Sequence, residues 1–114
     1  MRPEELYLND IVEAADAVAA FLAGVTLDDF FQDDLRQSAV LHKLMIIGEA
    51  AARLPKDFRD RYPAVEWSAI VGFRNIVVHT YFNVSWEIVW VAATQESQQL
   101  KEQISNILAS EFGS

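Results

Sequence analysis

The chain has 114 residues, a formal net charge of -8 and no cysteine; this fits one domain with one core and excludes a disulfide scaffold, a thiolate metal site and a Cys nucleophile. Hydrophobic residues make up 52%, enough for a core and too many for a disordered chain. Residues 1–34 carry nine acids and one base, whereas residues 35–114 carry eight of each, so the acidity excludes a surface that coats nucleic acid but leaves room for a narrow site in the neutral remainder.

The first predicted element is a helix over about residues 3–23. Pro3 suits a first helical turn, and Glu4 and Glu5 favour the positive end of the helix dipole. Leu8, Ile11, Ala15, Val18 and Leu22 make one apolar stripe, and Gly24 is its stop. The most apolar stretch, residues 17–25, is too short to span a bilayer and follows acids rather than bases. No membrane association is expected, and a cytoplasmic location is.

Thr26 and Asp29 resemble a capping pair, which starts a short turn or helix. A long helix follows over about residues 34–54, with Leu41, Leu44, Ile47 and Ala51 on one face, widened by Met45, Ile46 and Ala52. Gly48 in its middle costs about 1 kcal/mol relative to Ala, which points to close approach of another helix. Pro55 ends this helix. Residues 56–62 read as a charged connector of one helical turn; with Arg53 they hold four of the nine basic residues, the others being Lys56, Arg59 and Arg61. A solvated connector is the simpler reading of that cluster.

Residues 65–81 combine helical spacing (Trp67, Ile70, Val71, Arg74, Val78, Tyr81) with strand-forming residues at Ile76-Val77-Val78. No alternation or hairpin turn supports a strand, so a helix is predicted. Asn83 or Ser85 then caps a last helix over about residues 84–112, with a polar break at 94–99. The sum is an all-α, antiparallel four- to five-helix bundle forming a single domain over residues 1–114.

The string Arg74-Asn75-Ile76-Val77-Val78-His79-Thr80-Tyr81 places a guanidinium, an amide, an imidazole and a phenol within eight residues. At about 100° per residue, Asn75 and His79 share a helix face and so do Arg74 and Tyr81, while Arg74 and His79 lie about 140° apart. One regular helix therefore does not aim all four at one point. Either the helix ends near His79, or a second copy of the chain completes the site across a two-fold axis.

His suits proton transfer near neutral pH, and Arg presents a permanent charge to phosphate oxygens. Together they suit cleavage of RNA at its own 2′-OH, with Arg74 stabilising the phosphorane-like transition state and no metal or other cofactor needed. Glu49, Glu66, Glu87 and His42 are too scattered for a metal-ligand cluster. Glu49 is either a buried partner of Arg74 or a solvated helix residue, and His42 reads as a core-edge or surface residue. An Arg and a His five apart also arise by chance, so residue types alone leave a non-catalytic bundle open.

At this string the chain resembles the HEPN domains, specifically their HepT-like branch, marked by Arg, a polar residue, three mostly apolar residues, His, one residue and Tyr. The flanks Trp67-Ser68-Ala69-Ile70-Val71-Gly72-Phe73 and Ile46-Ile47-Gly48-Glu49-Ala50-Ala51-Ala52-Arg53-Leu54-Pro55 match as well. The resemblance implies an all-α bundle that dimerises and a metal-independent endoribonuclease, with Arg74 and His79 as the catalytic pair and Asn75 supporting. It further implies the toxin of a type VII-like HEPN/MNT toxin–antitoxin module, acting on RNA and not DNA. Its silencing partner would be a minimal nucleotidyltransferase (MNT) antitoxin that transfers AMP from ATP to Tyr81. The alternative within the same resemblance is an inactive helical adaptor.

Overall fold

A computed structural model describes residues 2–76 and 85–113. Among them the helices are α1 (Pro3–Leu22), α2 (Leu27–Phe31), α3 (Asp34–Arg53), α4 (Lys56–Asp60) and α5 (Trp67–Val71). After residues 73–76, also helical, come α6 (Trp86–Val91), a π-helical turn (Ala92–Glu96) and α7 (Ser97–Phe112). No strand occurs among the described residues. This is the expected all-α bundle.

Helix α1 lies at the centre, against α3 on one side and α7 and the π turn on the other. The α1–α3 pair is antiparallel, because Arg36 at the start of α3 donates from Nε to the Phe21 carbonyl near the end of α1 at 2.8 Å. The α1–α7 pair is antiparallel too. Lys101 pairs with Asp16 at 2.5 Å, and the Arg2 guanidinium lies 5.9 Å from the Phe112 ring centre. The predicted stripe of α1 is buried throughout (Leu8, Ile11, Ala15, Val18, Leu22), and so are Leu41, Leu44, Ile47 and Ala51 of α3. Each large side chain fully buried here contributes about 2 kcal/mol of apolar burial.

The local signals at Gly24 and Thr26–Asp29 act as predicted in the connection between α1 and α3, and Asp33 adds a further cap. Gly24 takes φ +74°, a left-handed conformation that suits glycine just past a helix end. Thr26 and Asp29 form a reciprocal capping box at the start of α2. Asp33 caps α3 by accepting from the Arg36 backbone N–H at 3.0 Å. That bond, followed by the Arg36 side chain, holds its carboxyl below the usual carboxylate range.

Two predicted helices are interrupted. The helix expected over 65–81 breaks at Gly72, after α5. Gly72 keeps helical φ and ψ, but Asn75 N–H bonds to its carbonyl at 2.9 Å, a tight i,i+3 turn ahead of residues 73–76. The last helix carries the π turn, beginning two residues before the polar break read from the sequence. Thr94 and Ser97 each donate a hydroxyl to the carbonyl four residues earlier, Trp90 and Ala93, at 2.7 Å, competing with the regular ladder. Ser85 caps α6 through its Oγ, as one of the two expected caps.

The connector 56–62 does contain one short helix, α4. The Trp67 indole N–H bridges the Arg59 and Tyr62 carbonyls at 3.1 and 3.0 Å, which fixes α5 against the end of α4. No helix among the described residues is long and apolar enough to cross a membrane.

Candidate active site

Arg74 is positioned by the residues on either side of the Gly72 turn and by the middle of α3. Phe73, its neighbour, is buried at 3% exposure and anchors the segment in the core. From the other side Gly48 provides the floor. A Cβ added at Gly48 would lie 2.7 Å from the Arg74 backbone N and 3.2 Å from the Val71 carbonyl oxygen. The close approach predicted from a mid-helix glycine is therefore real, and its partner is the backbone of the motif itself.

The Arg74 side chain emerges half-buried, with Nη1 3.7 Å from Glu49 Oε1. Side-chain exposures of 42% for Arg74 and 47% for Glu49 answer the question left open for Glu49. It is a partner of Arg74, but a solvent-reachable one rather than a buried one. Asn75 is exposed, and Ile76 packs partly against the core. Polar and apolar side chains thus separate along this turn: Phe73 and Ile76 hold it, while Arg74 and Asn75 face accessible space.

His79 and Tyr81 lie outside the described residues, as do Val77, Val78 and the alternative cap Asn83. The structure brings Arg74, Glu49 and Asn75 to one region. His42, on the exposed side of α3, is a surface residue. Among the described residues no group of three or more His, Asp or Glu side chains is placed to hold a metal ion.

The basic connector does not converge on a single point. Lys56 pairs with Asp60 at 2.8 Å. Arg61 lies 3.4 Å from Glu111 and 4.8 Å from the Phe58 ring centre. Arg59 buries its Nε without a hydrogen-bond partner among the described residues. Lys56 and Arg61 are thus engaged by contacts within the connector and with α7.

Of the two α3 residues, Gly48 and Glu49, the first is marked in the sequence as a close contact, and the second as either a partner of Arg74 or a solvated residue. The available signal was the cost of a glycine inside an otherwise well-formed helix. It announced a close contact without naming the partner.

A family model described as "Ribonuclease HepT-like" matches residues 11–107, which includes all of α3, the Gly72 turn and the motif. The chain belongs to the HepT-like ribonuclease family. It is 33% identical over 111 residues to the protein named "Putative RNase TTE0752" of Caldanaerobacter subterraneus subsp. tengcongensis, covering 97% of this chain and 99% of that one. It is 31% identical over 106 residues to "Probable ribonuclease HepT" of Thermococcus cleftensis, covering 93% and 96% respectively. A Methanocaldococcus jannaschii protein, "Putative RNase MJ1380", is 32% identical over 103 residues, 90% of this chain and 94% of that one. No solved structure matches the chain. HepT-like membership agrees with the resemblance read from the motif and with an endoribonuclease as the enzyme class.

Proposed function

We propose that this HepT-like chain cleaves RNA by metal-independent attack of the substrate's own 2′-OH, with Arg74 and His79 as the catalytic pair. The observation that carries the reading is the placement of Arg74. Its backbone is seated against Gly48, its guanidinium is half-exposed beside Glu49, and it lies five residues ahead of His79 in an intact family motif.

The chemistry follows from the residue types. The 2′-oxygen attacks phosphorus, the bond to the 5′-oxygen breaks, and a proton moves from the attacking hydroxyl to the leaving oxygen. His79 assists that proton transfer, because imidazole is the side chain whose ordinary pKa lies near neutral pH. Arg74 keeps its charge at every relevant pH and stabilises the extra negative charge on the phosphorane. Asn75 supports by orienting His79 or holding a phosphate oxygen.

Two copies of the chain forming one cleft would answer the angular mismatch between Arg74 and His79 on a single helix. The wider role is that of a toxin in a HEPN/MNT toxin–antitoxin module. A nucleotidyltransferase antitoxin would silence it by moving AMP from ATP onto the Tyr81 hydroxyl, releasing pyrophosphate. A negative phosphate beside Arg74 and His79 would neutralise the guanidinium and block RNA.

The test is cleavage of an oligoribonucleotide in excess chelator by the wild type and by Arg74→Ala and His79→Ala. Wild-type cleavage is expected, with a loss of at least about 10²-fold in each variant. Intact RNA with the unmodified wild type, or equal cleavage by the variants, would sink the reading and leave the adaptor. Co-expression with a neighbouring nucleotidyltransferase is expected to add AMP mass at Tyr81, located by peptide mapping.

A further inference from the structure

We propose that Gly48 and Glu49 form a two-residue positioning element for Arg74, in which the glycine seats its backbone and the carboxylate steers its guanidinium. The inference rests on the ribonuclease reading above for its kinetic consequences. Its geometric content stands on the packing alone.

Consecutive residues of one helix act here on opposite ends of the same arginine. At position 48 a Cβ would meet the Arg74 backbone N at 2.7 Å, and the Arg74 Cβ and the Val71 carbonyl oxygen at 3.2 Å each; none of these is the free end of a flexible side chain. Backbone held in place by the buried Phe73 and Ile70 cannot swing aside as the tip of a flexible side chain can. Any side chain at 48 must therefore displace the turn that carries Arg74.

At position 49 the carboxylate reaches the guanidinium at 3.7 Å, in a pair whose members are both more than a third exposed. Exposed pairs of this kind contribute little to stability. The contact runs through one Nη atom, so the guanidinium keeps further donors for a phosphate. What the pair does supply is restriction of a long side chain to one direction. Glu49 is also a negative charge that a phosphodiester must approach. Its removal loosens Arg74 while easing substrate entry, which separates the two kinetic constants. Global destabilisation would have no such signature.

The kinetic test uses the full chain on an oligoribonucleotide. For Glu49→Gln, kcat is expected to fall about tenfold with KM unchanged or lower and the melting temperature unchanged. Glu49→Asp is expected to recover part of the loss. A kcat for Glu49→Gln within twofold of the wild type would overturn the steering role. Gly48→Ala is expected to lower kcat about 10²-fold.

A second readout needs no activity and stays decisive if Gly48→Ala fails to fold. Relaxation of the Arg74 Nε–H resonance, assigned through Arg74→Lys, is expected to report an ordered group in the wild type and a mobile one in Glu49→Gln. Equal order in both overturns the proposal. A wild type that cleaves no RNA sinks the ribonuclease reading instead, and the relaxation comparison still decides the positioning role.

Discussion

Tyr62 shows how one side chain can tie two distant parts of the fold. Its hydroxyl donates to Glu111 near the end of α7, and Glu111 also faces Arg61 at 3.4 Å. Burial, then the accepting and negatively charged Glu111, pushes the phenol above its ordinary value. A raised pKa means that the contribution is complete below the unfolded value of about 10 and is lost as pH rises through the folded one. Tyr62→Phe is therefore expected to cost about 1 kcal/mol at neutral pH. The gap between the two proteins should close in urea unfolding as pH rises above about 10. A pH-independent gap would place the loss in packing instead. Nothing in the sequence pairs residues 62 and 111, because the contact spans 49 positions and depends on α7 running back to the connector.

At the scale of elements, the places read correctly were those with local chemical signals. Pro3, Gly24, the Thr26–Asp29 box and Pro55 each act within one turn of the chain, and the ends of α1 and α3 fall within a residue of expectation. The break at Gly72 and the π turn were not legible. Apolar spacing continues through Gly72, and the polar break at 94–99 does not name a π turn, because hydroxyl competition for a carbonyl leaves no periodic trace. The docking of α2 was equally hidden. Gln37 is buried and donates its amide to the carbonyls of Phe30 and Phe31 at 2.9 and 3.1 Å. Phe30 in turn meets the rings of Trp86 and Trp90 at 5.8 and 5.5 Å. Gln37→Ala is expected to cost about 2 kcal/mol, because it removes two hydrogen bonds at a buried helix end. Thr26→Ala is expected to cost about 1 kcal/mol through loss of the cap. Denaturant midpoints for the two variants check the order.

For the whole molecule, the acidic third and the candidate site are built from different elements. Asp10, Glu13 and Asp16 of α1 and Asp28 and Asp29 of α2 are exposed, whereas Arg74 rises against the middle of α3. Of the motif, Arg74 and Asn75 lie among the described residues, and both are reachable from solvent. Its completion by His79 turns on the geometry between the two residues. The composite cleft makes dimerisation an expectation at this scale. Sedimentation at micromolar concentration is expected to give a dimer, and a monomer at all concentrations would count against a shared site. Its net charge would be twice -8, so dimers are expected to repel one another at low salt rather than aggregate.

The hydrogen that serves as the side chain of Gly48 makes the motif non-portable. Eight residues copied into another helical hairpin would bring the right functional groups but no floor at the right height. With alanine in place of that glycine, the arginine turn would be lifted by contact between backbone and methyl. The unit that must be inherited, transplanted or redesigned is thus the motif plus one position some two dozen residues upstream.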